Sequence, residues 1–173
     1  MSLSPSGSCL SCGSSCGVEV LLPHLAGVAV ERVDRLPGVV WLSVRACGEE
    51  GTCRRCGAGS SRVHSRYTRR LADAAAGGQR VVIRLAVRRF FCDAPGCAAS
   101  TFAEQVEGLT TAYARRTPLL RGMLEAIALA LAGRAGARLA ATFGLPAGRP
   151  AMLRLVRALP DPGVTGVAVL GGR

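Results

Sequence analysis

The sequence predicts an α+β protein in which a small, cysteine-anchored β domain is followed by an all-α domain. Three observations carry this. Two cysteine pairs, Cys53/Cys56 and Cys92/Cys97, stand 35 residues apart. The segment between them alternates apolar and polar residues. Helical spacing, rich in Ala and Leu, begins only near residue 117, so strands precede helices rather than alternating with them.

The chain has 173 residues, enough for one ordinary domain or two small ones at roughly 100–200 residues each. Hydrophobic residues make up 49%, which excludes a disordered composition. Aromatics are only 4%, so packing must rest on Ala, Val and Leu in small modules. The net charge is +11 and all 22 basic residues are arginine. Between Arg54 and Phe91 there are ten arginines and one acid, Asp73; between Ala114 and Pro160 there are eight arginines and one acid, Glu125. Two separate basic blocks point to a polyanion, and double-stranded DNA is the expected partner. No run reaches the roughly 18 apolar residues of a membrane span, and the start "MSLSPSGSCLSCGSSCG" has neither a charged nor an apolar signal region. A cytoplasmic, nucleoid-associated protein with no membrane partner is expected.

Eight cysteines in an intracellular chain point to metal before disulfides. Cys53-x2-Cys56 and Cys92-x4-Cys97 each place two thiolates on one tight turn, and two such turns supply the four sulfurs of a tetrahedral zinc site. Gly57 after the first pair and Gly96 within the second can take the positive φ of those turns. A site closed by four thiolates is structural, because no position stays open for water. A zinc deaminase would need an H-x-E element, whereas Ser65 and Arg66 follow His64. Cys9, Cys12, Cys16 and Cys47 are the candidates for a second site, but the first three lie in a Ser/Gly-rich start, residues 1–17, that reads as disordered.

Between the knuckles, Val63, Tyr67 and Leu71 share one side of a strand, and Arg62, His64, Arg66, Thr68 and Arg70 the other. In "QRVVIRLAVRRFF", Val81, Ile83, Leu85 and Val87 share one side, Arg84 and Arg88 the other. "AAAGGQ" connects the two strands. A zinc clamp at the base of a sheet with little core of its own is therefore expected to display a row of arginines. Arg62, His64, Arg66, Arg70, Arg84 and Arg88 are the candidate DNA contacts, His64 as a phosphate contact rather than a ligand. Upstream, "LAGVAVERVD" and "VVWLSVRA" form a hairpin turning at Leu36-Pro37-Gly38, with Trp41 expected in its core.

Residues 117–131 begin with Thr117 as N-cap and Pro118 at the first helical position. A short helix at 135–143, a turn at Gly144-Leu145-Pro146 and a helix at 150–159 have the layout of a helix-turn-helix. Its second helix would enter the major groove, with Arg149 and Arg154 near base edges and Arg134 and Arg138 nearer the backbone. The expected division is a disordered start at 1–17, a hairpin and zinc-ribbon domain at 18–107, a helix-turn-helix domain at 108–162, and a tail at 163–173.

In this order the chain resembles bacterial insertion-sequence transposases of the ISL-three group. The resemblance lies in "LLPHLAGVAVERV", "CRRCGAGSSRVHSRYTRRLADAAAGG", "VRRFFCDAPGCAASTFAEQVEGL", "RRTPLLRGMLEAIALALAGRAGARLA" and "LRLVRALP", roughly residues 18–162. It implies zinc on Cys53, Cys56, Cys92 and Cys97, and recognition of terminal inverted repeats by ribbon and helices. In such transposases "RALPDP" leads to a strand ending "LGVDD", which carries the first catalytic carboxylate. Here "VTGVAVLGGR" follows instead, with no acid after Asp161. Strand transfer needs carboxylates holding two metal ions. The expectation is thus a truncated, non-enzymatic DNA-binding fragment, able to form homo-oligomers or associate with a full-length transposase. The alternatives are the DNA-binding half of an active transposase completed by another polypeptide, and a zinc-ribbon/helix-turn-helix transcriptional regulator.

Overall fold

A computed structural model describes residues 22–160. The expectations for 1–17 and 163–173, and for Cys9, Cys12 and Cys16 as ligands, lie outside the described residues. Strands β1 (Val28–Leu36) and β2 (Val39–Ala46) form the expected hairpin. Its turn is Pro37-Gly38, and Gly38 takes a φ of 75° that the proline ring forbids to Pro37. Two short strands, β3 (Gly51–Thr52) and β4 (Gly59–Ser60), frame the first cysteine pair. The long pair β5 (Val63–Ala76) and β6 (Gln79–Phe91) turns at Gly77-Gly78. Both glycines have positive φ, 56° and 74°, which is what a two-residue type I′ hairpin demands. Strand β7 (Thr101–Ala103) returns after the second cysteine pair. Three helices follow: α1 (Pro118–Leu131), α2 (Gly133–Thr142) and α3 (Arg149–Arg157).

The main sheet has the order β1-β2-β6-β5, with β7 also on β6. Strand β6 is its spine. It pairs antiparallel with β5 along nearly its whole length and parallel with β2 from Arg80 to Ala86. Beyond the end of β2, β7 pairs with it from Arg89 to Phe91. The upstream hairpin is therefore an integral half of the sheet. Sequence pattern gives no sign of this parallel pairing, because the connection from β2 to β6 runs through the first knuckle and all of β5.

Period two then separates two faces. Leu42 and Val44 of β2, Leu71 of β5, and Val81, Ile83, Leu85 and Val87 of β6 are buried together with Leu25, Val28, Val106 and Leu109. The sheet thus owns a substantial core, more than expected for a ribbon dependent on metal. The opposite face stays open to solvent. Trp41 lies on that open face, not in the hairpin core as expected: Leu42 and Val44 take the core side of β2, and parity puts Trp41 opposite.

The helices enclose a second core of Leu120, Leu124, Ala128, Ala140, Leu145 and Met152. Thr117 caps α1 as the sequence suggests, its side chain accepting a hydrogen bond from the Leu120 N–H at 3.2 Å. Sheet and helices are joined. Ala72 and Ala75 of β5 pack against the helical core. Ala72 exchanges backbone hydrogen bonds with Arg115 and Thr117, each 2.9 Å, so the lead into α1 adds to the free edge of β5. Asp73, fully buried, fastens the joint. One carboxylate oxygen accepts from the Thr117 hydroxyl at 2.5 Å, and the other lies 2.7 Å from His24 Nε2. Among the described residues, no helix is long and apolar enough to cross a membrane.

Removing that buried acceptor strands a hydroxyl and an imidazole away from water. Asp73→Ala is expected to destabilise the protein by about 1–3 kcal/mol, loosening α1 against β5. Chemical denaturation, with hydrogen exchange at Leu120, checks both effects.

Candidate metal centre and nucleic-acid interface

The core ends at Val87, and β6 continues past it. There Phe90 is buried on the opposite side of the sheet from Val87, facing Phe102 of β7 at a ring separation of 5.8 Å. Gly51 lies against this pair so tightly that a Cβ there would meet the Phe90 ring at 2.6 Å. This small aromatic seat carries the first knuckle back onto the sheet.

The four sulfurs of Cys53, Cys56, Cys92 and Cys97 converge at this end, all within 4.8 Å of one another. Cys53 and Cys97 are 4.0 Å apart and Cys56 and Cys92 3.6 Å. A zinc tetrahedron with Zn–S near 2.3 Å has edges of about 3.8 Å, so the spacing fits. Each knuckle is held by its own backbone. Cys53 N–H donates to Ala58 O at 2.8 Å and Gly57 N–H to Cys53 O at 2.8 Å. Cys97 N–H donates to Ala94 O at 3.2 Å. Gly57 and Gly96 have φ of 78° and 77°, the role their positions suggest.

The thiols differ in acidity. Backbone hydrogen bonds from Arg55 and Cys56 draw Cys53 down to about 7. At Cys92 a backbone hydrogen bond at Ala94 pulls downward, but desolvation and the neighbouring thiols outweigh it and push the group to about 12. The neighbouring thiols thus oppose the Cys92 thiolate, and a cation among the sulfurs would offset that opposition. The cluster fits a structural zinc held by Cys53, Cys56, Cys92 and Cys97, which leaves no coordination position for substrate. Among the described residues it is the one group of three or more His, Cys, Asp or Glu side chains arranged to hold a metal. Cys47 is buried and outside it.

The candidate DNA contacts separate into distinct environments. Arg66 and Arg70 of β5 and Arg84 of β6 share the open face, where Arg70 stands directly across from Arg84. Trp41 forms the floor there. The Arg84 guanidinium stacks 4.0 Å from its ring centroid and Arg70 lies at 5.9 Å. Arg84 also reaches Asp34 at 3.7 Å. Arg62 is exposed but bonded to Asp93 at 2.6 Å, and it covers the Phe91 ring at 4.5 Å. His64 sits where the β5/β6 register slips by one residue, a bulge, with its ring edge-on to Phe91 at 4.8 Å. It lies outside the sulfur cluster.

Arg88 is turned inward. Its guanidinium bonds the buried Glu104 and the carbonyls of Gly48 and Glu49, and the Glu104 hydrogen bond raises its pKa above the ordinary arginine value. It holds the loop after β2 to the segment after β7. Arg134 and Arg138 of α2 and Arg149 and Arg154 of α3 are all exposed. Arg32, Arg45 and Arg80, which sequence reasoning did not select, belong to the open face through their registers with Ser43, Ala86 and Val39. Alternation could have marked Arg45 beside Leu42 and Val44, and Arg80 beside Val81 and Ile83; Arg32 depends on the bulge between Val30 and Arg32.

Zinc content of the purified protein is expected at one per chain. Cys56→Ser should abolish it and release the knuckles and β7, while amides of Ile83 and Leu85, inside the sheet's own core, keep their exchange protection. Elemental analysis and hydrogen exchange read the two effects separately.

Comparison with known families places this centre. Residues 49–97 match the family described as the zinc-finger of transposase IS204/IS1001/IS1096/IS1165. Comparison with curated proteins and with solved structures finds no match. Residues 49–97 are thus similar to a transposase zinc ribbon, set in a mixed α/β protein of one main sheet and, among the described residues, three α-helices.

Proposed function

We propose that the chain is the DNA-recognition part of an insertion-sequence transposase, binding the element's terminal inverted repeats without cutting them by itself. The observation that carries this is the open face of the zinc-anchored sheet. Arg32, Arg45, Arg66, Arg70, Arg80 and Arg84 project from four adjacent strands. Two acids stand among them, Asp34 bonded to Arg32 at 2.6 Å and Glu31 paired with Arg45 at 3.2 Å, so the cations outnumber the acids six to two. Strands hold these cations in fixed rows, so little side-chain and backbone freedom is lost when phosphates arrive. The transposase zinc ribbon at 49–97 supports duplex DNA as the polyanion.

The helices supply the second element of recognition. Helices α2 and α3, joined through Gly144 at φ 70°, act as a helix-turn-helix, with Arg149 at the exposed N-terminus of α3 as base reader. Arg134 and Arg138 lie on the outer side of α2. Phosphates set position and bases set specificity, so sheet and helices contribute different things.

The absence of cutting rests on ligand chemistry. Two-metal strand cleavage uses carboxylates, whereas the metal-holding group among the described residues is made of four thiolates with no open position. Full transposition then requires a nuclease unit supplied with or alongside this one.

With about six phosphates neutralised, log affinity should fall against log salt with a slope near −5, at roughly 0.9 per phosphate. Arg66→Ala and Arg70→Ala should each flatten the slope by about one contact for every sequence tested. Arg149→Ala should instead relax base preference, by about 1–3 kcal/mol for a bidentate guanine contact. End-labelled inverted-repeat DNA incubated with this chain and magnesium should be retained but not nicked. Salt-independent binding would sink the electrostatic reading, and specific nicking would sink the non-catalytic one.

A further inference from the structure

Where the open face of the sheet meets the helices there is a groove of about 590 Å³ lined by Arg80, Arg115, Arg116, Arg121 and Arg154. Its apolar floor includes Ala72 and Leu155. The five arginines come from four separate parts of the fold. Arg80 continues the Arg84 row at the start of β6. Arg115 and Arg116 are held by the backbone pairing of this stretch with Ala72. Arg121 and Arg154 come from α1 and α3.

Internal partners account for little of this charge. Arg121 bonds Glu125 at 2.7 Å, one helical turn on. Arg116 reaches the Pro146 carbonyl at 3.4 Å, which neutralises nothing. Arg80, Arg115 and Arg154 have no carboxylate partner among the described residues. Like charges brought together by the fold repel one another, and an anion in the groove relieves that repulsion.

We infer that this groove binds the sugar-phosphate backbone of a DNA duplex. The inference rests on the DNA-binding reading above and adds a composite phosphate site joining sheet to helices. The groove opens onto the arginine face, so one backbone strand can pass from Arg66 and Arg70 through Arg80 to Arg154. It also divides the work of α3. Arg149 and Arg154 are five residues apart, about 140° around a helix at 3.6 residues per turn. Arg149 Nε lies 4.0 Å from where a side chain on Gly133 would begin, toward α2, whereas Arg154 lines the groove. Arg154 is a phosphate contact, not the base reader that the helix-turn-helix pattern suggests.

The test uses the full chain, zinc-loaded, with a mixed-sequence duplex and with an inverted-repeat duplex. Arg80→Gln and Arg154→Gln should each reduce the salt slope by roughly 0.9, weaken both duplexes by the same factor, and leave base preference unchanged. Arg154→Lys should restore most of the slope. Phosphate ethylation interference should lose one backbone position in Arg154→Gln. Arg157→Gln, outside the groove, serves as the control, and unchanged hydrogen-exchange protection at Leu120, Leu124 and Ile83 confirms folding of each variant. If the unaltered chain binds with a steep slope that both Gln variants retain, the groove is not a phosphate site while the DNA-binding reading stands. If Arg154→Gln alters base preference at constant slope, Arg154 reads bases and the inference fails. If the unaltered chain binds neither duplex, the DNA-binding reading itself fails.

Discussion

Everything in the sheet depends on strand β6 having two unlike sides. From Val81 to Val87 its odd residues are buried and apolar, and its even residues from Arg80 to Ala86 face solvent. Because it is paired on both edges, it cannot rotate to trade one face for the other. A one-residue slip would put Arg84 into the core and Ile83 into water, so the same register that builds the core also presents the arginines. Burying four branched side chains at about 1.5–3 kcal/mol each is what holds the cations of β2, β5 and β6 on one surface.

The metal begins where this arrangement runs out. Past Val87 the core side of β6 offers Arg89 rather than another aliphatic residue, and Phe90 is buried on the other side. Strand order changes at the same point, β7 taking over from β2. Two short hairpins with few apolar side chains meet there, and thiolate–zinc bonds supply cohesion that their sequences lack. The Arg88–Glu104 pair, half-buried on the arginine side, works alongside the metal by tying the two segments that flank the knuckles. At the other end of the sheet the Asp73 cluster has the corresponding role, linking β5 to the cap of α1. The arginine face therefore lies between two fixed ends.

The local features were legible because each rests on local chemistry. The knuckle spacing with Gly57 and Gly96, the Gly77-Gly78 turn, and the Thr117-Pro118 helix start need only their own neighbours. What escaped was long-range. Trp41 reads as core by hydrophobicity alone, and only the parity set by Leu42 and Val44 moves it to the arginine face. Arg88 has the same alternation as Arg84, yet it is drawn inward by Glu104, 16 residues along the chain. Arg80 and Arg154 are brought to one groove by the packing of helices on Ala72 and Ala75, which no spacing rule encodes.

The exclusive use of arginine suits this surface. A guanidinium stacks on an aromatic ring and still offers donors at its edge, so Trp41 can support Arg84 without neutralising it. A lysine at these positions would keep more of its hydration shell and more rotamer freedom, and both are lost on contact with phosphate. Stacking on Trp41 and on Phe91 orders guanidiniums in advance of any anion, which lowers the entropic cost of association. Aromatics are scarce in this chain, and two of them are placed under arginines rather than in the main core. Their position suits an open sheet, since a flat face has no walls to hold long cationic side chains in place.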